Sequence, residues 1–443
     1  MFLLRANYKS SLQPIKLLRV CSRSGMSSEA QIQILPRSRC LFDEPVQVTA
    51  QGLRPGQAAE VRAKLTDEKG ELFQSSATYT ADSNGDIDLR CSPALGGSFR
   101  GIEPMGLFWS LKANTPHTKL AKKDVSRACL VEIELHSTGG DILATATNER
   151  VFIGEGVRRI PVTDGTINGT LFIPPGQGPF PGVLDLYVFG GGLSEIRPCL
   201  LANRGFVVLT VALYGCQDMP MSTINLEYLE HALNFLRSHP QVKGPGLGLL
   251  AISKSGDLAL SMSSFLPGIS ATVCINSCNA NVMLPLHYKG RVIPPLMFDP
   301  HRAVLTETGA LDVKATLHDP RAPENRATVI PIEQADCTFL FAASEDDKNW
   351  DSCLYAEEAA RRLREHGKEN FKVLVYPGAG HYLDCPYMPH CSSSYHAVNR
   401  NMVLWGGEPK GHAEAQVDLW KRIQAFFREH LDEESRYHDQ ARL

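Results

Sequence analysis

Residues 246–256 read Gly-Leu-Gly-Leu-Leu-Ala-Ile-Ser-Lys-Ser-Gly, and no other stretch limits the possible folds of this chain as strongly. Leu247, Leu249, Leu250 and Ile252 make a short apolar strand that runs straight into Ser253. Leu258, Leu260, Met262 and Phe265 then suit a helix. A strand, a sharp turn with serine at its tip and a helix together describe a nucleophile elbow. The positions two before and two after the serine must be small, because strand and helix cross closely there. The usual pattern is G-x-S-x-G. Here Ala251 and Ser255 stand at those positions, small but not glycine. The competing account is a buried strand followed by a helix whose first turn carries serines as caps.

The flanking sequence shows what such an elbow sits in. After Gly156, candidate strands alternate with candidate helices. Gly169 to Ile173, Gly182 to Val188 and Phe206 to Leu213 read as strands. Ile224, Tyr228, Ala232, Phe235 and Leu236 fall near helical spacing and stop at His239-Pro240. Beyond the elbow come a strand at 271–275, another at 337–342, a helix at 350–366, a strand at 371–376 and a last helix at 413–430. This alternation predicts a mostly parallel sheet with helices on both faces over residues 156–435, and a short tail at 436–443. Residues 279–335 interrupt it, with Pro294-Pro295 and Asp319-Pro320 as breakers. So long a connection has its own structure or a function, and a lid over a pocket is the expectation. Ahead of residue 156 the pattern differs. Val46 to Ala50, Ala59 to Leu65 and Val131 to Leu135 alternate with period two. Turn sequences such as Arg54-Pro55-Gly56 and Ser83-Asn84-Gly85 separate them. Residues 31–155 therefore read as an immunoglobulin-like β-sandwich, with Trp109 in its core.

Three candidate chemical groups follow successive strands of the second part. Ser253 ends the central strand, Glu345-Asp346-Asp347 ends a later one, and His381 ends the next. Serine, acid and histidine in that order is the chain order of the α/β-hydrolase triad. Each lies at a strand's carboxyl end, where open α/β sheets place their sites. Serine is a weak nucleophile until a base takes its proton. His381 can do so near neutral pH and return the proton to a leaving group. A buried carboxylate holds the imidazole tautomer, with Asp347 as the first candidate and Asp346 as the fallback. The Lys254 backbone N–H is one oxyanion donor. Gly190-Gly191-Gly192 supplies the second, with Gly191 and Gly192 as candidates. That run lacks G-x-G-x-x-G spacing and a Walker lysine, which argues against a nucleotide loop. His390, Cys391, His396 and His412 show no metal-ligand spacing and read as structural. No metal and no cofactor are expected.

Composition removes some classes of partner. A formal net charge of −3 argues against nucleic acid. No apolar run approaches the ~20 residues of a membrane span. The 12 cysteines contain no C-x-x-C pair and read as reduced, packed side chains. Residues 1–28 carry Arg5, Lys9, Lys16, Arg19 and Arg23, several serines and no acid, the composition of a mitochondrial transit peptide. A disordered tail is the alternative. Met26 offers a second start, and the final Ala441-Arg442-Leu443 is a variant of the S-K-L peroxisomal address.

Several longer stretches carry a resemblance. They include Leu95-Gly96-Gly97-Ser98-Phe99, Glu103-Pro104-Met105-Gly106-Leu107 and His239-Pro240-Gln241-Val242-Lys243-Gly244-Pro245-Gly246. With them go Ile252-Ser253-Lys254, Asp346-Asp347-Lys348-Asn349-Trp350, Gly380-His381-Tyr382 and Trp405-Gly406-Gly407-Glu408-Pro409. From residue 31 onward the chain resembles the acyl-CoA thioesterase and bile acid-CoA:amino acid N-acyltransferase family. The resemblance implies an N-terminal β-sandwich, a C-terminal α/β-hydrolase part and hydrolysis of acyl-CoA thioesters. It maps nucleophile, acid and histidine onto Ser253, Asp347 and His381. Its thioesterases carry serine at the elbow and its amino acid transferases carry cysteine. The chain departs from the usual Gly-Ile-Ser-Lys-Gly-Gly at Ala251 and Ser255. The expected activity is release of fatty acid and coenzyme A from acyl-CoA. An acyl-CoA:amino acid N-acyltransferase, a weakened acyl-CoA binding protein and a general carboxylesterase or peptidase are the rivals.

Overall fold

The structure is a computed structural model that describes residues 29–187, 193–213, 223–397 and 399–432. Residues 1–28, the 188–192 glycine run and the last tripeptide lie outside the described residues.

The N-terminal part is built of β1 (Gln31–Leu35), β2 (Arg39–Leu41), β3 (Gln47–Gln51), β4 (Ala58–Thr66), β5 (Leu72–Thr80), β6 (Ile87–Asp88), β7 (Gly96–Gly97), the short helix α1 (Gly106–Trp109), β8 (Lys112–Ala113), β9 (Cys129–Ser137) and β10 (Ile142–Val151). β1, β3 and β6 form one sheet. A second sheet runs β2-β10-β9-β4-β5-β7, with β8 also on β5. The period-two runs do what their alternation dictates. β4 buries Ala59, Val61, Ala63 and Leu65 and turns Glu60, Arg62 and Lys64 outward. These residues join Val48 and Ala50 of the smaller sheet in one core. Trp109 is buried in that core, on a helical turn rather than a strand.

A second array follows: β11 (Arg158–Asp164), β12 (Ile167–Ile173), β13 (Phe180–Leu186), α2 (Ile196–Ala202), β14 (Val207–Val211), β15 (Ile224–Asn225), α3 (Leu226–Ser238), β16 (Val242–Ile252), α4 (Lys254–Phe265), β17 (Ile269–Ile275), β18 (Leu286–Tyr288), β19 (Arg291–Ile293), β20 (Val304–Leu305), β21 (Leu311–Asp312), β22 (Thr338–Ser344), α5 (Ser352–Glu365), β23 (Phe371–Tyr376), β24 (Ser393–His396), β25 (Asn401–Leu404) and α6 (Pro409–Leu431). The main sheet has eight strands in the order β11-β12-β14-β13-β16-β17-β22-β23. β12 pairs antiparallel with both β11 and β14, and the remaining pairs are parallel.

Side-chain alternation along β16 divides the two faces. Leu249 and Ala251 enter a core with α3, α4 and α5. Leu250 and Ile252 enter the opposite core with α2 and α6. That second core is continuous with the N-terminal sheets, so α6 is covered on both sides. Asp43 seals the junction by accepting from Trp420 Nε1 at 2.8 Å and from Arg204. α6 starts four residues before its sequence-predicted Ala413, at Pro409, because proline is tolerated at the first helical position. The 279–335 insertion is folded in short pieces. β18 and β19 make a small sheet with β15, while β20 and β21 join β25 and β24.

Candidate active site

β16 delivers Ser253 to the carboxyl end of the main sheet. There the backbone turns sharply, and Ser253 adopts φ 60° and ψ −133° before α4 begins at Lys254. A non-glycine residue at such a φ is strained and persists only where its surroundings hold it. Packing holds this one. Ala251 is fully buried in the core beneath the elbow. Ser255 is fully buried too, and its Oγ accepts from the Ile252 N–H at 3.1 Å. Its one hydroxyl proton is shared between the carbonyls of Leu186 (2.6 Å) and Ile252 (2.7 Å). The serine that replaces the expected glycine therefore fits with its polar atom satisfied, and it ties the elbow to β13. Gly256 has no such latitude, since a Cβ there would lie 2.1 Å from Ser277 Cβ.

Three strand ends converge on the serine. His381 Nε2 lies 2.8 Å from Ser253 Oγ. His381 Nδ1 lies 2.8 Å from Asp347 Oδ2. All three side chains are buried. Asp347 also accepts from the backbone N–H groups of Asn349 (2.8 Å) and Trp350 (3.0 Å) and from Ser352 Oγ (2.5 Å). Asp346, the fallback acid, turns the other way. Its carboxylate pairs with Lys348 at 2.9 Å and accepts from the Gly407 N–H. The imidazole is packed as well as bonded. It stacks on Trp405 and meets the edge of Trp350. The His381 N–H donates to the Trp405 carbonyl at 2.8 Å, and Gly380 lets that segment approach. A Cβ on Gly380 would sit 2.3 Å from the Gly406 carbonyl oxygen.

Neighbours that sequence reasoning missed complete the support. Asn276, buried at the end of β17 with φ 46°, donates to the carbonyls of His381 (2.7 Å) and Gly380 (3.3 Å) and to Ser344 Oγ (3.0 Å). It thereby links three strand ends. Its positive φ is compatible with asparagine, but nothing in a lone Ile275-Asn276-Ser277 marks it. Asn349 Nδ2 lies 3.3 Å from His381 Nε2. Lys119 reaches over from the N-terminal part, 3.9 Å above the Tyr382 ring and 3.1 Å from Tyr187 Oη.

The histidines read as structural divide into two kinds. His412 accepts from the Gly380 N–H through Nδ1, so its proton is on Nε2, which donates to the Tyr382 carbonyl. Burial, then the nearby His390, holds its pKa down at about 3, and the ring props the His381 segment in its neutral form. His396 instead lines the cleft, stacked on Trp405. Burial, then the charge of His381, brings its pKa to about 4.

Lys254 opens α4, and its backbone N–H is among the first amides of a helix, which lack an intrahelical acceptor. Its side chain runs back into a buried ion pair with Asp257, at 3.0 and 2.8 Å, and meets Asn281 Oδ1 at 3.3 Å. Burial pulls both partners toward neutrality. Asp257 rises to about 6 and Lys254 falls, each opposed by the other's charge. Asp257 also accepts from the Val282 N–H at 2.8 Å. The pair therefore fastens the start of the insertion beside Ser253. Gly191 and Gly192, the other oxyanion candidates, lie outside the described residues.

A cleft of about 60 Å³ opens in front of Ser253. Val282, Met283, Phe298, Val313 and Thr316 of the insertion wall it, opposite Trp350, Tyr382 and Trp405. A larger groove of about 680 Å³ runs past Arg37, Leu41, Val157 and Asn203 and includes none of the convergent residues. Among the described residues no cluster of His, Cys, Asp and Glu is arranged to hold a metal. No helix there is long and apolar enough to cross a membrane.

The site holds a hydroxyl, a base and an oriented carboxylate in a buried, aromatic setting, which suits acyl transfer through an oxygen nucleophile. Comparison with known proteins gives it a family. Residues 43–164 match the acyl-CoA thioester hydrolase/BAAT N-terminal region, and residues 224–433 match the BAAT/acyl-CoA thioester hydrolase C-terminal region. Human acyl-coenzyme A thioesterase 2, mitochondrial, is 47% identical over 94% of this chain and 86% of its own length. The chain belongs to the acyl-CoA thioester hydrolase/BAAT family. Human acyl-coenzyme A thioesterase 1 is 48% identical over 91% of this chain and 97% of its own. Among solved structures, a Pyrobaculum calidifontis esterase overlaps 62% of this chain and 84% of its own at 17% identity, with a TM-score of 0.38. That overlap is too loose to carry an argument. The fold assignment rests on the strand order, on the elbow and on family membership. In this acyl-CoA thioester hydrolase/BAAT chain the serine, the acid and the histidine follow β16, β22 and β23 in that order.

Proposed function

We propose that this protein hydrolyses fatty acyl-CoA to fatty acid and coenzyme A, with Ser253 as nucleophile, His381 as general base and acid, and Asp347 as the orienting carboxylate. The unbroken relay of 2.8 Å contacts from Ser253 Oγ to His381 and on to Asp347 carries this reading. Ser253 Oγ attacks the thioester carbonyl as its proton passes to Nε2. The C–S bond then breaks, the proton goes to the coenzyme A sulfur, and an oxygen ester remains on Ser253. Amides of Lys254 and of Gly191 or Gly192 are the proposed oxyanion donors, since Lys254 follows β16 and the glycine run follows, in sequence, its neighbour β13. Water then repeats the sequence and releases the acid.

Residues 31–155 are proposed to be an immunoglobulin-like sandwich, supported by their two packed sheets. Residues 156–435 are the proposed catalytic part, and 279–335 its cleft wall and lid. Crosslinking the wall to its surroundings should block turnover if the lid must move, and unchanged turnover sinks that role.

Serine at the elbow separates hydrolysis from transfer to an amine. A thioester acyl-enzyme reacts readily with amines and slowly with water, whereas an oxygen ester suits water activated by His381. Release of coenzyme A is therefore expected to be unaffected by millimolar glycine or taurine, with fatty acid as the sole acyl product by mass spectrometry. Acyl-glycine or acyl-taurine as the main product would overturn the assignment in favour of an N-acyltransferase. Failure of a fluorophosphonate to label Ser253 in folded protein would favour an acyl-CoA binding protein.

The mitochondrial matrix is the proposed location, on the acid-free, arginine-rich composition of residues 1–28 and on the mitochondrial designation of one relative. A reporter carrying residues 1–30 should enter mitochondria, and a diffuse reporter would sink the proposal. Punctate staining of a product begun at Met26 would point to peroxisomes instead.

A further inference from the structure

We infer that the side-chain amide of Asn349 holds the water that hydrolyses the acyl-enzyme, an inference that rests on the acyl-enzyme reading above.

The single lone pair on His381 Nε2 limits what can bind there. With Nδ1–H donated to Asp347, a neutral imidazole has one acceptor left. Two groups converge on it: Ser253 Oγ at 2.8 Å and Asn349 Nδ2 at 3.3 Å. No third side chain among the described residues bonds to Nε2. In the resting protein Ser253 donates the shorter bond and uses the lone pair. After acylation Ser253 Oγ carries the acyl group and no proton, so it can no longer donate. Nε2 then faces the cleft with only the Asn349 amide beside it.

A water placed there has the partners it needs. It donates one hydrogen to Nε2 and accepts the Asn349 N–H on its oxygen. Its remaining lone pair is free for the ester carbonyl, which is covalently held within reach on Ser253. The cleft of about 60 Å³ has room for water at this point. Asn349 is suited to holding but not to reacting, since an amide does not titrate. Its position is set from the opposite side of the imidazole. The Asn349 backbone N–H donates to Asp347 Oδ1 at 2.8 Å, and the side chain returns to the far nitrogen of the same ring. One residue thus registers the water site against both the acid and the base. The residue is 5% exposed, so bulk solvent does not substitute readily for it.

The step balances. The water oxygen bonds to the acyl carbon as its proton moves to Nε2. The bond between the acyl carbon and Ser253 Oγ breaks, and the proton passes from Nε2 to Oγ. Free acid leaves and the serine is restored.

Asn349 is then needed for deacylation and dispensable for acylation, which rapid-mixing kinetics can separate. With palmitoyl-CoA, Asn349→Ala is expected to release one equivalent of coenzyme A in a burst near the unmutated rate. Steady turnover should then be slower by about 100-fold, as when one preorganised donor is removed. Intact-mass spectrometry should find the acyl adduct accumulating on Ser253. Asn349→Leu, which keeps the volume and removes both polar atoms, should behave the same way. Fluorophosphonate labelling of Ser253 at an unchanged rate would show that both variants are folded and can acylate. Equal loss of burst and turnover would overturn the inference and leave Asn349 as a prop for the imidazole. So would the absence of an adduct in variants whose Ser253 still labels. A Ser253 that labels in no form of the protein, the unmutated one included, would overturn the acyl-enzyme reading as well.

Discussion

Ser253→Ala is expected to lower acyl-CoA hydrolysis by roughly 10⁵–10⁶-fold, and His381→Ala by a similar factor. The double variant should be little worse than either, because each group is useless to the reaction without the other. The two differ in what they do to the fold. Ser253→Ala removes one oxygen and one hydrogen bond, while the strained turn is still held by Ala251, Ser255 and Gly256, so its melting temperature should hardly move. His381→Ala empties a space between Trp350 and Trp405 and is expected to cost about 3 kcal/mol, the scale for truncating a large buried side chain. Asp347 survives that loss, since Asn349 N–H, Trp350 N–H and Ser352 Oγ still satisfy it. The checks are steady-state kinetics on purified protein and thermal melts of the same samples. More than a tenth of normal activity in Ser253→Ala would remove that residue from the chemistry.

What could be read from the sequence here follows from how local each signal is. Ser253 announces itself because strand, turn and helix are contiguous, and His381 and Asp347 because each ends a run of strand residues. Those signals need no knowledge of which strands become neighbours. Asn276 and Asn349 need just that knowledge. Asn276 matters because β17 lies beside β22, which lets one side chain reach the His381 carbonyl 105 residues later. His396 read as structural, yet it lines the cleft because β24 and β25 bring it onto Trp405. The N-terminal part shows a different failure. β10 spans ten residues but was invisible as a strand, since its buried positions include Asn148 and Arg150 rather than an apolar series. Arg150 lies buried, donating to the Phe42 and Glu44 carbonyls and packed against the rings of Phe42 and Phe108. A periodicity that looks for hydrophobic residues passes over a strand whose core face is an arginine. The insertion is legible as an interruption and no further, because its two- and three-residue strands are too short to show a period, and its two small hairpins are anchored by β15 and β25 outside it.

The neighbouring acids supply the second large expected effect, a contrast between two substitutions one residue apart. Asp347→Asn should lower kcat/KM by about 10⁴-fold, and Asp346→Asn should change it by less than about three-fold. Both exchange a carboxylate for an amide of the same shape, so packing cannot account for a difference. At Asp347 the two oxygens accept from four donors in a fully buried site. An asparagine there can keep its carbonyl oxygen on the Asn349 and Trp350 amides, as Oδ1 is now, which leaves its NH₂ facing His381 Nδ1. The imidazole must then accept at Nδ1 and carry its proton on Nε2. A protonated Nε2 has no lone pair for the Ser253 proton, so acylation fails at its first step, and no carboxylate remains to stabilise an imidazolium. At Asp346 the side chain is about one-third exposed, and its Lys348 pair is of the kind worth little in water. An asparagine still offers an oxygen to the Gly407 N–H, and the Asp346 backbone N–H keeps its bond to the Ala379 carbonyl beside the His381 segment. Fluorophosphonate labelling of Ser253 should fall in step with kcat/KM in Asp347→Asn, because that reaction draws on the same base. Equal or reversed effects of the two substitutions would mean that the carboxylate which governs His381 in solution is not the one it contacts here.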